Sequence, residues 1–465
     1  LNPTAASVAR IDPTTLAIEA VPVGSNPIGL ASMPGEDAAV VLSYDDASLT
    51  IIESSTLPSK AIRVALKRQE GKLTVSPDGA FAVAWPDPSA APASGSEGVF
   101  TLIDLKKARQ GLPADQVRVE RAGGYRITNV VFRVENGVAT KLHVFAKSTV
   151  STFDLSDLQN ALPARLNLPA SMSADISSRE VVANDSGQVV MIRSTTAAEL
   201  ASFDGAQLTV VPLPEIATDL DLLPDGTAAV AALRTAGEVA FIELPADIAD
   251  PTGIQTFPVP GVVVGQVALP PVIPSTGMFA FIYSTATSDE AFARVDLPSG
   301  TVTRYQLEKA VAEIGISPDS KSALILHSAN PNSTATDPYE KAVDLDQGYS
   351  VFDVSSGYWQ LQRTGSTMPT RYAFSPEGGY VGVALRNDSL GKFSLHAVNL
   401  SSLVATPLPL ASAPLFMGTV PEAPGITPHR VFVSQNHPAG RISVIQLDSG
   451  QVRTATGFTL NAEIE

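Results

Sequence analysis

Four carboxylates, Asp337, Glu340, Asp344 and Asp346, precede Gly348 in the stretch SANPNSTATDPYEKAVDLDQG at residues 328–348. Calcium takes roughly six to eight hard oxygen ligands, so this acidic stretch is a candidate calcium loop with a partial D-x-D-x-G pattern. The complete spacing and the closing Glu of a helix-flanked calcium loop are missing, and a solvated acidic loop is the other reading. Calcium is the only cofactor these residues suggest. The five histidines, His143, His327, His396, His429 and His437, show no H-E-x-x-H or equivalent metal spacing, and His143 sits in an apolar run. With no Cys there is no thiolate nucleophile, disulfide or Cys-ligated zinc. The nucleophile elbow G-x-S-x-G, the phosphate loop G-x-x-x-x-G-K-[ST] and a strand-to-helix G-x-G-x-x-G are likewise missing, so no catalytic residue is assigned.

A second set of residues stands out by position. Tyr44, Trp85, Lys147, Arg193, Arg234, Tyr283, His327, Arg386 and Gln435 each end a short apolar run such as AAVVLSY, AAVAALR or YVGVALR. Four are basic in a chain whose 31 Lys+Arg face 47 Asp+Glu, for a net charge of −16. Such a rim could hold a carboxylate, a phosphate or an acidic protein segment, with Arg as forked donor and Trp or Tyr as flat contact area. The simpler reading has long side chains burying their stems at strand ends, with polar tips reaching water.

These positions are set by a repeat. An apolar run enters a Pro/Asp/Gly turn at LTVSPDG (73–79), LDLLPDG (220–226), IGISPDS (314–320) and YAFSPEG (372–378), and five weaker copies fit the same slot. Each turn leads into a second apolar run. A third run ends at one slot in Asp12, Glu53, Asp104, Asp154, Asp204, Glu243, Asp296, Asp353, Asn399 and Gln446, and a fourth follows a polar turn. Asp and Asn suit that slot because their side chains accept from backbone N–H groups two residues on and tighten the hairpin. Four short antiparallel strands every 45 to 50 or so residues is the length of a propeller blade. Continuous Val/Ile/Leu/Ala second strands fit burial on both faces.

The predicted fold is therefore an all-β propeller of four-stranded antiparallel blades filling 1–465. Nine modules are complete. A tenth would be split, N-terminal strands in 8–23 closing a ring with a C-terminal strand in 458–465, which removes exposed sheet edges. One large ring is expected, with two tandem rings as the alternative. The segments 86–98 and 328–348 are insertions between second and third strands, which should share an end with the blade-to-blade connections and mark a binding face. Single helical turns are expected at 105–112 and 155–162.

The SPDG, LPDG and SPEG turns, each followed by an apolar strand and then a strand ending in Asp-Leu or Asp-Val, resemble the bacterial YVTN/WD40-like β-propeller repeat proteins. The resemblance covers nearly the whole chain and speaks to fold. It implies a non-enzymatic binding or scaffold protein outside the cytoplasm, in the periplasm, cell envelope or a secreted assembly, with a protein partner or assembly subunits. A related branch contains lactonases, so the alternative is a propeller hydrolase with a central metal; a structural subunit docking through its outer blade edges is a third reading. The acidic balance argues against nucleic acid. No run approaches the ~20 apolar residues that span a bilayer, which leaves peripheral or lipid-anchored membrane association open.

Overall fold

The computed structural model describes every residue except 56, 91–97, 158–161, 276, 286–288, 421–428 and 459–465. Nine four-stranded antiparallel sheets form among the described residues, spanning 27–65, 72–122, 127–167, 179–212, 219–258, 266–306, 311–365, 368–409 and 414–456. In each, the strands lie side by side in chain order. Ser7–Ile11 and Ile18–Pro22 pair as a separate two-stranded sheet. The C-terminal strand expected to join them lies, from 459 on, outside the described residues. No described helix is long and apolar enough to cross a membrane.

The turns behave as their residues dictate. At 76–81 the Ser76 hydroxyl donates to Asp78 at 2.6 Å and accepts from the Phe81 N–H at 2.9 Å, while Gly79 takes the left-handed φ of +66° that closes the turn. Ser317, Asp319 and Ser322 repeat the arrangement, with Ser320 at φ 59°. At the end of the third strand, Asp12, Asp104, Asp154, Asp204, Asp353 and Asn399 each accept from backbone N–H groups two or three residues on. The hairpin-tightening reading of that slot holds for Asp12, Asp204, Asp353 and Asn399, whereas Asp104 caps the helix Leu105–Arg109 and Asp154 opens a longer connection to the strand Ala164–Asn167. Glu53 and Asp296 instead pair with Arg109 and Arg294, and Gln446 accepts from Arg430.

Second strands are buried on both faces, as at Ala228–Leu233, where all six residues are buried; outer strands such as Gln451–Thr456 are mostly exposed. The chain forms two compact units. One comprises Leu1–Ile11 and Ile18–Ile216; the other comprises Asp12–Ala17 and the described residues from Ala217 on. Inside the first unit, one apolar cluster joins sheets 27–65 and 72–122, another joins 72–122 to 127–167, and a third joins 127–167 to 179–212. The second unit repeats this across its five sheets. Each buried Val, Leu, Ile or Phe in these seams contributes roughly 1.5–3 kcal/mol, so a sheet separated from its neighbours would expose too much apolar area to persist.

Polar clamps supplement the seams. In the first unit, buried Arg179 donates to the Lys147, Ala146 and Met172 carbonyls at 2.8 Å each and to the Thr128 hydroxyl at 2.9 Å. It ties sheet 179–212 to 127–167. Gly187, at φ +61°, passes so close to the Phe132 carbonyl that a Cβ there would lie 2.1 Å from its oxygen.

Candidate functional site

The nine strand-end residues are placed at the ends of second strands as expected, but most of their polar groups are already engaged by the protein itself. His327 is buried; its Nδ1 faces the Ala310 carbonyl at 2.9 Å and its Nε2 the Ser350 hydroxyl at 2.8 Å. Burial pushes its imidazole down to about 4, with the Lys309 charge acting the same way, so it donates from Nδ1 as a neutral ring. Gln435, also buried, accepts from the Ser412 N–H and donates to Ser443. Trp85 and Tyr283 are buried too, and burial raises the Tyr283 phenol to about 12. Arg193 is bonded to Glu180 at 2.8 Å, and Arg386 to Asp388 at 2.9 Å and the Pro414 carbonyl at 3.4 Å. Lys147 accepts at its carbonyl from Arg179. Arg234, exposed, donates to the Val264 carbonyl, and Tyr44 is exposed.

The expectation of a nine-membered contact rim is thus corrected. Trp85, Tyr283, His327 and Gln435 are withdrawn from solvent because the blade-to-blade connections close over strand ends. Ala310, Ser412, Val264 and Pro414 all lie in or at the end of such connections, so several of these side chains serve to hold them.

The acidic stretch is corrected as well. Pro338–Leu345 is a helix. Asp337 caps its N-terminus, accepting from the Tyr339 and Glu340 N–H groups at 2.9 and 3.0 Å. Asp344 accepts from the Ser333 hydroxyl, Asp346 pairs with Arg363 at 2.7 Å, and Glu340 is exposed. Proline at the first helical position and Asp at the cap favour helix over loop. Asp337 and Asp346 are thus taken up by the helix cap and by Arg363, and among the described residues no three His, Cys, Asp or Glu side chains form a group able to hold a metal.

Both insertions join second to third strands, between Trp85 and Val99 and between His327 and Gln347. Residues 91–97 of the first lie outside the described residues. Leu105–Arg109 is a helix as expected; most of the turn expected at 155–162 falls on undescribed residues 158–161.

The second insertion builds a pair of open cavities on the surface of its unit. Its helix is anchored from below by Lys309, a fully buried side chain in the connection between sheets 266–306 and 311–365. Lys309 Nζ donates to the Val343 carbonyl at 2.6 Å and the Asp344 carbonyl at 3.3 Å, a cation at the helix C-terminus where the dipole favours one. Burial holds the Lys309 ammonium below its usual range, with Asp344 and Asp346 opposing that shift.

Two cavities adjoin this helix and share Glu308 and Tyr339 in their walls. One, of about 620 Å³, is lined by Glu290, Glu308, Glu340 and Asp344 beside Leu307 and Val343. The other, of about 460 Å³, runs along the outer strand Trp359–Gly365, with Tyr358, Trp359 and Arg363 in its wall. Tyr339 and Tyr358 are 60% and 59% exposed, so both rings remain available for contact. Arg363 lies over the Tyr339 ring, 5.7 Å from its centroid, and its charge is met by Asp346. Burial, reinforced by Asp344, Glu340 and Asp289, raises the Glu290 carboxyl above its usual range against the opposing charge of Lys309.

Sequence reasoning marked Glu340 and Asp344 here and missed Glu290, Glu308, Lys309, Tyr339, Tyr358 and Trp359. The adjacent aromatic pair after the VSSG turn was a usable signal. The convergence of Glu290 and Glu308 with the insertion was not, although it follows the expected sharing of one end by second-to-third-strand loops and connections.

No protein-family model matches the sequence, and no curated protein matches it. Among solved structures, the chain is similar to one described as the crystal structure of the eukaryotic initiation factor, at 10% identity over 98% of this chain and 96% of that one, with a TM-score of 0.55. It also matches apo AztD from Citrobacter koseri at 13% identity, over 79% of this chain and 92% of that one, with a TM-score of 0.40. The Cps50 (Swd1) beta-propeller domain of Myceliophteria thermophila gives 13% identity over 72% and 96%, with a TM-score of 0.36. At such identities the first likeness concerns fold alone; the chain's own nine consecutive four-stranded antiparallel meanders make it a β-propeller.

Proposed function

We propose that this protein is a non-enzymatic β-propeller that binds another protein through the surface built by the 328–346 insertion and the outer strand Trp359–Gly365. One observation carries the reading: two adjoining open cavities, walled by exposed aromatic rings and carboxylates, lie beside an insertion helix anchored by a buried lysine. Rigid aromatic side chains offer large contact area at low entropic cost, the composition of binding hot spots. The hydrolase alternative would need imidazoles and carboxylates to converge; His327 and His396 are instead held by the Ala310 carbonyl and the Tyr349 hydroxyl, and the imidazole that meets a carboxylate, His429 with Glu377, is a single pair with no third His, Asp or Glu grouped with it among the described residues. Placement outside the cytoplasm, in an envelope or secreted assembly, rests on the resemblance to bacterial repeat proteins.

Photo-crosslinking side chains placed at positions 339 and 358, and at exposed outer-strand positions 304 and 453 as controls, test the reading in the native host. Adducts to a discrete protein from 339 and 358 alone are expected. Adducts only from 304 and 453 would favour docking through outer blade edges and overturn the proposal. Cell fractionation tests the compartment, a cytoplasmic pool being the contrary result.

A further inference from the structure

We propose that the two adjoining cavities receive a basic peptide segment in extended form, its Lys or Arg side chains reaching Glu308, Glu290 and Glu340 while its stems lie over Tyr358 and Trp359. This rests on the protein-binding reading above and names the chemistry of the partner's contact segment.

The shape argues for an extended chain. The first cavity follows strand residues 359 to 363, which at strand rise cover about 13 Å. The second continues from the shared Glu308 and Tyr339 along the helix face that carries Glu340, Val343 and Asp344, and on to Glu290. A compact ligand would fill one compartment, whereas a segment of about six extended residues spans both.

Charge sets the sign. Among the described residues no ion pair engages Glu290, Glu308 or Glu340. Arg363 in the wall is committed to Asp346 and Lys309 beneath the surface to helix carbonyls, while Lys341 of the helix lies outside the lining of both cavities. Glu290 sits among like charges, an environment that an incoming cation relieves. Arg363 over Tyr339 shows that these rings accept a guanidinium on their faces. Carboxylate acceptors favour a cation that donates hydrogen bonds over a quaternary ammonium. Anionic partners are disfavoured here by the same carboxylates.

The test uses the full chain with labelled, acetylated hexa-arginine amide, followed by anisotropy at 50 mM salt. Glu308→Gln/Glu340→Gln removes two exposed charges from the cavities. Glu243→Gln/Asp448→Asn removes two exposed charges elsewhere and controls for nonspecific attraction to an acidic protein. The expected result is a Kd at least tenfold weaker for the first variant and within twofold of wild type for the second, with unchanged melting temperatures. Tyr358→Ala should weaken binding several-fold. Equal weakening by both double variants, or no binding by the wild type, would overturn the proposal. So would spermidine competing as well as unlabelled peptide, which would assign the cavities to free polyamines. If crosslinks from 339 and 358 still capture a protein while hexa-arginine fails, the basic-segment inference falls and the protein-binding reading stands.

Discussion

Replacing Glu70 with Gln should stabilise the protein at neutral pH and leave it unchanged in mild acid. Glu70 lies in the connection entering sheet 72–122 and is 1% exposed. One carboxyl oxygen accepts from the Thr101 hydroxyl at 3.3 Å and the other has no partner. Arg68 would favour the ionised form, but its Nε bonds to Glu120 at 2.9 Å, so burial prevails and raises Glu70 to about 8. The folded protein thus keeps this proton up to about pH 8, while the unfolded chain releases it near the ordinary glutamate value of about 4.3. Between these values the unfolded state binds fewer protons, so folding stability falls as pH rises, by about 1.4 kcal/mol per unit. Gln mimics the protonated acid and does not titrate. Urea unfolding should give variant and wild type equal free energies at pH 4, with the variant ahead by about 3 kcal/mol at pH 7. A constant difference across that range, or a variant less stable at pH 7, would refute the assignment of Glu70 as a buried neutral acid.

Other perturbations probe the clamps and the histidines. Arg179→Met, which takes a charged donor from two buried carbonyls and from that of half-buried Lys147, should cost about 3–5 kcal/mol, measured by urea unfolding. Gly187→Ala should lower the melting temperature because its Cβ would overlap the Phe132 carbonyl, whereas Gly111→Ala, with open space around it, should fall only by the cost of a left-handed backbone. For His327 the sign is opposite to that of Glu70. Its folded value of about 4 lies below the unfolded value of about 6.5, so stability is complete above pH 6.5 and declines toward pH 4, by about 3 kcal/mol in all. A His327→Gln variant should show a flatter acid limb in the same titration.

The repeat was legible because turn chemistry is local. Ser76-Pro77-Asp78-Gly79 closes its turn with its own hydroxyl, carboxylate and left-handed glycine, and Asp353 caps the next hairpin from within four residues. Nothing distant is required, so nine signatures became nine sheets. The strand-end slot was legible as a position and misleading as a surface. Whether His327 meets water or the Ala310 carbonyl depends on how a connection folds over it, which its own neighbours in sequence do not record. The cavities were least legible, since Glu290, Glu308, Tyr339 and Trp359 come from two sheets, a connection and an insertion. Even the acidic insertion changed meaning in three dimensions: an Asp-Pro cap and a lysine 35 residues away made a helix where a ligand loop was expected.

The central claim, that binding resides in the insertion cavities and not in the strand-end arginines, is tested most directly by comparing two variants against the crosslinked partner by calorimetry. Glu308→Gln/Glu340→Gln should weaken the complex at least tenfold, while Arg234→Ala/Arg386→Ala should leave its affinity within twofold of wild type. Loss of binding in the arginine variant with full binding in the glutamine variant would contradict the account.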